Sequence, residues 1–208
     1  MNTENDRIIP AGGKQPAEWA RIVKAIYGNP PSIKQKKPKE KDSWATPQQE
    51  FDIINAEFGL NWDVCASHEN HKLSNYWTIE DNGLAQSWYN LRCWCNPPYS
   101  DPAPWIRKAL WESRINCAVV VMLLKADSST KVWLECIAPY AEVRPFNRRV
   151  KFVKPEGVIL GDKNKNGSPD FASALVIFRP PLENLDRNGQ KFVRPLKIMP
   201  AIYGYKVK

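Results

Sequence analysis

The sequence predicts an α/β fold with a mostly parallel sheet. Three stretches carry that prediction. Leu91-Arg92-Cys93-Trp94-Cys95 alternates as a short strand does, and Trp105–Trp111 is an amphipathic helix. Cys117–Leu124 is a continuous apolar run that reads as a strand buried on both faces. A strand, a helix and a second strand in that order make one parallel crossover.

The other elements follow along the chain. Pro16–Tyr27 places Trp19, Ile22, Val23 and Ile26 on one face of a short helix, ended by Gly28 and Pro30-Pro31. Lys34–Lys41 holds five lysines, one glutamate and one proline, and reads as a solvated linker or a mobile arm for phosphates. The globular part starts near Ser43. Pro47–Phe58 is helical, with Thr46 as N-cap, Pro47 in the first helical position, and Phe51, Ile54 and Phe58 on one side. Asn61–Cys65 is a first strand, His68–Leu73 a short helix or loop, and Asp81–Trp88 an irregular connector. Beyond the apolar run, Ser129–Ile137 is helical with Ser128 or Ser129 as its cap, and Ala141–Arg144 is a strand. Val150–Val153 opens a C-terminal antiparallel hairpin, with its turn at Asp162–Pro169 and its return strand at Ala174–Phe178. This gives a helix and basic arm over 1–42, a domain over 43–181, and an extension over 182–208 with no assigned role.

Composition narrows the class. A chain of 208 residues with 43% hydrophobic content has room for a real core. No run is long and apolar enough to span a membrane, and the N-terminus, with Glu4 and Asp6, is no signal peptide. A cytoplasmic protein is expected. The net charge of +8 favours a polyanionic partner. The five cysteines are odd in number, and Cys65, Cys93, Cys95 and Cys117 lie in apolar contexts, which fits reduced, buried thiols. His68-x-x-His71 and Cys93-x-Cys95 have poor zinc spacing, so no metal is expected.

The chemistry is concentrated at Asn96-Pro97-Pro98-Tyr99. Two prolines cannot continue the strand before them, so the chain leaves the sheet rigidly at Asn96. An amide, unpaired carbonyls and an aromatic ring then meet at the carboxyl end of a strand, where open α/β sheets bind ligands. Methylation of a planar exocyclic nitrogen needs such a corner. An adenine N6 amine is a weak nucleophile. The Asn96 side-chain oxygen and the Pro97 carbonyl would hold its two hydrogens and stabilise the developing positive charge, Pro98 would stiffen the loop, and Tyr99 would stack on the base.

On several landmarks in order, the sequence resembles the small phage-type DNA N6-adenine methyltransferases, the Dam-like family of prophages. The likeness runs from about Ser43 to about Arg179. It rests on Trp44-Ala45-Thr46-Pro47, Phe51, Asp63-Val64-Cys65-Ala66-Ser67, Tyr76-Trp77-Thr78, Glu80-Asp81-Asn82-Gly83-Leu84, the Trp94–Tyr99 stretch, Ala126–Thr130 and Arg149–Phe152. The resemblance implies a doubly wound, Rossmann-like fold that uses S-adenosylmethionine (SAM). It implies cofactor neighbours at Thr46, Pro47, Phe51, Asp63, Cys65, Ala66 and Asp81. Asp63 would face the methionine ammonium and Asp81 the ribose hydroxyls. The partner is double-stranded DNA with the adenine flipped out to reach Asn96. Arg148, Arg149 and Lys151, interleaved with Phe146 and Phe152, and Lys36 and Lys37 of the arm, are the DNA-binding candidates.

Two departures leave alternatives open. No Gly-rich turn follows the first strand, although nucleotide-type cofactors usually sit on one. The same tetrapeptide also serves methylation of protein glutamine and of structural RNA, in proteins that generally have that turn. A non-catalytic DNA-binding or anti-restriction protein with a decayed cofactor site is the third reading. The sequence sets neither the recognised DNA word nor an oligomeric state.

Overall fold

The computed structural model describes residues 44–153 and 170–180, with Gln35, Asp42 and the backbone of Asn184–Leu185 and Lys191–Phe192. Helix α1 (Gln48–Phe58) buries Phe51, Ile54 and Phe58, and ends at Gly59, whose φ of 56° favours glycine. Thr46 does not cap it. The chain is still extended at Pro47 (ψ 138°), which moves the cap position one residue on, and no side chain caps the helix. Thr46 is instead buried, with its hydroxyl unpartnered.

Strands β1 (Trp62–Asp63), β2 (Arg92–Cys95), β3 (Val119–Lys125), β4 (Glu142–Pro145) and β5 (Ser173–Phe178) form one sheet in the order β1-β2-β3-β5-β4. The first three are parallel, and β5 runs antiparallel to both β3 and β4. Four strands therefore share one direction. Helix α2 (Ala103–Ile115) makes the β2–β3 crossover, close to where the sequence places it.

Helices cover both faces, because side chains alternate along each strand. Trp105, Ile106, Ala109 and Leu110 of α2 pack with Val120, Met122 and Leu124. Phe51, Ile54 and Phe58 of α1 pack with Trp94, Val121, Leu123, Leu175 and Ile177 on the other face. Glu112 of α2 is buried, pairs with Lys108 at 2.5 Å, and accepts the Trp88 N–H at 3.0 Å. That contact pins the end of the 81–88 connector to α2.

Four expectations change. The return strand exists as β5, but its outer partner is β4, and Val153 bridges antiparallel to Ala45 instead. With β4 on one edge of β5 and β3 on the other, no edge is left for 150–153. Ser129–Ile137 does not form a regular α-helix: Trp133–Ile137 is π-helical. Its entry is capped by neither Ser128 nor Ser129; the Asp127 carboxylate accepts from the Ser129 N–H (3.3 Å) and Oγ–H (2.6 Å). Cys117 is exposed at φ 54°, because it forms the turn before β3 and not the strand itself. Cys93, Cys95 and Cys136 are buried, Cys65 is partly so, and all five thiols are free.

The Pro16–Tyr27 helix, Lys36 and Lys37, and the Asp162–Pro169 turn lie outside the described residues. Within 182–208, Asn184–Leu185 (β6) pairs antiparallel with Lys191–Phe192 (β7). Among the described residues no helix is long and apolar enough to cross a membrane.

Candidate active site

Parallel β1, β2 and β3 open their carboxyl ends on one edge of the sheet. The 64–67, 96–99 and 126–130 loops leave there. Antiparallel β5 begins at that edge, since the Ala126 N–H donates to the Ala172 carbonyl at 2.9 Å. The end of β4 joins it through the Phe146 N–H on the Ser173 carbonyl at 3.0 Å.

Asn96 is held by a residue 52 positions away: its Nδ2 donates to the Trp44 carbonyl at 2.9 Å. An amide has one donor end and one acceptor end. With the NH2 on Trp44, the Asn96 Oδ1 remains the acceptor. Two further contacts fasten the 42–46 strap. Ala45 and Val153 exchange backbone hydrogen bonds of 2.7 and 3.0 Å. The Asp42 carboxylate accepts the Ser100 N–H at 3.0 Å and its Oγ–H at 2.5 Å. Pro97 and Pro98 are buried, and among the described residues no group donates to the Pro97 carbonyl. Asp42, Trp44, Asn96, Pro97, Tyr99 and Phe152 line an open recess.

Tyr99 stands edge-on to Phe152 (centroids 5.6 Å) and Phe171 (5.3 Å), and Trp44 leans on Phe152 at 6.3 Å. Burial pushes the Tyr99 phenol far above its usual range, against a smaller downward pull from Ser173. The ring is therefore neutral. Neither hydroxyl has a well-formed hydrogen-bond partner.

The loop after β1 is organised differently. Asp63 is only 2% exposed; its carboxylate accepts the Lys72 N–H at 3.0 Å and the Cys65 N–H at 3.4 Å. Burial raises its pKa to about 6, against the lowering effect of those two amides and of His71 and Lys72. Asp63 thus folds the 64–72 loop onto itself. Asp81 is exposed but engaged: it accepts the Thr78 N–H (2.9 Å) and Oγ1–H (3.0 Å), and both bonds lower its pKa. Cys65 and Ala66 are half-buried at the strand end, and Phe51 of α1 stands edge-on to Trp94 at 5.3 Å on the other face of the sheet. Gly83 lies directly on this end, since a Cβ there would come within 2.1 Å of the Val64 carbonyl. Only a residue without a side chain lets the 81–88 connector pack this closely on the end of the first strand.

A family model described as DNA N-6-adenine-methyltransferase (Dam) matches residues 32–190. A protein of Haemophilus phage HP1 named DNA N-6-adenine-methyltransferase is 36% identical over 148 residues, covering 69% of this chain and 82% of that one. A protein of Escherichia phage T1 with the same name is 31% identical over 137 residues, covering 65% of this chain and 57% of its own length. The chain belongs to this family.

The match spans every described residue of the recess, and membership in the Dam family makes the basic residues at the same edge relevant. Arg148 is half exposed and pairs with buried Glu50 of α1. Arg144 pairs with Glu57 at 2.7 Å and Glu142 at 2.5 Å. Both guanidinium groups are thus tied to carboxylates, and Arg148, a DNA-binding candidate of the sequence, keeps about half of its side chain exposed. Arg149 and Lys151 are exposed just past β4. Among the described residues no three His, Cys, Asp or Glu side chains gather as metal ligands. His68 and His71 contact Tyr76, the first through Nδ1 on its hydroxyl at 3.0 Å and the second by stacking at 4.2 Å.

Trp44, Asp42, Phe171 and Gly83 have site roles that the sequence reading does not assign. Trp44 acts through its backbone, which carries no sequence signal. Asp42 is an acid at the end of a lysine run, and that contrast is the one available hint.

Proposed function

We propose that the Asn96 recess receives an adenine extruded from duplex DNA and positions its N6 amine for methylation. Transfer of a methyl group to adenine N6 in DNA is the activity of the family to which the chain belongs. The observation that carries the recess reading is the Asn96 amide, whose donor end is occupied by Trp44. Asn96 Oδ1 and the Pro97 carbonyl accept the two N6 hydrogens. This aims the nitrogen lone pair out of the base plane and stabilises the positive charge that grows on it. Pro98 keeps the second acceptor fixed, and Tyr99 gives the base a neutral ring to stack on. No base is needed before transfer, because the amine becomes acidic only after methylation.

SAM supplies the methyl group as an electrophilic sulfonium. The β1 side of the edge fits such a molecule. Thr46 offers a buried hydroxyl without a partner, just before the uncapped start of α1, where free N–H groups favour an anionic group such as a carboxylate. Pro47, Cys65 and Ala66 frame that region, with Phe51 of α1 on its helix side. Asp63 and Asp81 act by closing the loops beside it. Arg149, Lys151 and the exposed part of Arg148, with Lys36 and Lys37 of the arm, provide sequence-independent phosphate contacts. Residues 43–181 form the catalytic unit, working in the host cytoplasm where the DNA is.

Single-molecule sequencing of plasmid DNA from cells expressing the chain tests this directly. N6-methyladenine in a fixed sequence context, absent from control cells, is expected. Unmodified plasmid in cells holding folded protein would overturn the reading.

A further inference from the structure

Lys125 ends β3 at the edge that carries the recess. Cys95 is in register with Met122, so Lys125 stands three residues, about 10 Å, beyond the end of β2. That reach brings it level with the 97–99 loop. Its face follows from strand alternation. Val121 and Leu123 belong to the face that holds Trp94, Tyr99, Phe152 and Phe171, and Lys125 continues that series. The ammonium sits over the Phe171 ring, 4.8 Å from its centroid. Phe171 in turn stands edge-on to Tyr99 at 5.3 Å.

The charge is exposed and helps hold the Asp127 carboxyl below its usual range. Among the described residues Lys125 makes no ion pair. Asp127, the nearest acid along the chain, has its carboxylate on Ser129. Lysine is a compact cation with three donors on a flexible stem, suited to a phosphate oxygen. A cation held on an aromatic ring keeps its position while remaining open to an anion.

We propose that Lys125 binds a backbone phosphate of the nucleotide whose base enters the recess. A base stacked on Tyr99 carries its sugar and phosphate out of the recess, and Phe171 with Lys125 over it adjoins the Tyr99 ring. Lys125 is then a positioning residue. It holds the strand with the base turned out, and takes no part in methyl transfer. This inference rests on the recess reading above.

The test compares Lys125→Met, which keeps the stem on Phe171 and removes the charge, with Lys125→Arg. The probe is a duplex carrying the methylated sequence found by plasmid sequencing, with 2-aminopurine beside the target adenine, which keeps its own N6 amine and whose extrusion unstacks the neighbouring reporter. For Lys125→Met, DNA affinity should fall about three- to ten-fold, and the log–log salt slope should lose about 0.9, the share of one phosphate. The fluorescence rise on extrusion should shrink, SAM affinity should hold, and Lys125→Arg should restore slope and fluorescence. If wild type raises the fluorescence and Lys125→Met matches it in slope and signal, the Lys125 proposal is wrong. Weaker binding with an unchanged slope also overturns it, since that marks lost packing. If wild type itself leaves 2-aminopurine dark, the recess reading fails and takes this inference with it.

Discussion

The loops leaving β1 and β2 start from neighbouring parallel strands but are held in opposite ways. The 64–72 loop is tied from within, by the Asp63 carboxylate on two amides of its own segment. The 96–100 loop is tied from without, by Trp44 and Asp42, which lie 52 and 58 residues earlier in the chain. The first loop also sets the Ala66 N–H on the Trp77 carbonyl at 3.0 Å, but its buried charge is Asp63, so part of its order follows the protonation of that group. The second loop has two prolines for stiffness and distant anchors for orientation. It holds its acceptors in place whatever the state of the first loop. Under the proposed function, this separates the part that would orient the amine from the part that would border the methyl donor.

Substitutions break this contrast in graded steps. Asn96→Ala has the largest effect: turnover should fall about 10²- to 10³-fold or more, as when a preorganised hydrogen-bonding group is lost, with SAM affinity within a few-fold. Rates and calorimetry on one preparation check it. Next is Asp63. Its folded pKa of about 6 lies above the ordinary 3.8, so the native state holds the proton more tightly than the unfolded chain. Stability therefore falls as pH rises from about 4 to about 6, by about 3 kcal/mol, and stays at the lower level above that. Asp63→Asn should remove this slope from denaturant midpoints measured across the window, and an unchanged slope would show that another group sets it. Tyr99→Ala should cost about 1–3 kcal/mol of transition-state stabilisation through lost stacking, read as a fall in kcat/KM. Asp42→Ala is the smallest, because Ser100 is exposed and water can replace its partner. A loss of about 1 kcal/mol in kcat/KM with unchanged SAM affinity is expected.

How much of this was legible in the sequence follows from how local each cause is. Periodicity located α1, α2, β2 and β3, because burial on one or both faces is written into consecutive residues. Asn96-Pro97-Pro98-Tyr99 was legible because prolines act on their own backbone. The anchors were not. Trp44 contributes a carbonyl and Asp42 one acid among lysines, and neither points 50 residues ahead. Val150–Val153 read as a strand because Val150 and Phe152 alternate and are buried, at 1% exposure each. Their burial comes from the aromatic cluster around Tyr99, and strand pairing has no part in it. The Gly83 contact was hidden for the same reason as the anchors. A single glycine in a connector gives no sign that it rests on Val64.

Under the proposed function, Trp44 holds the Asn96 amide so that its oxygen faces the substrate. Single-turnover methylation by Asn96→Asp, measured beside SAM calorimetry, tests it most directly. The carboxylate keeps an acceptor toward the recess but sets a second oxygen against the Trp44 carbonyl. A methylation rate well below wild type with SAM affinity preserved is expected. A rate equal to wild type would show that any acceptor at position 96 suffices, and that the Trp44 contact does not orient the site.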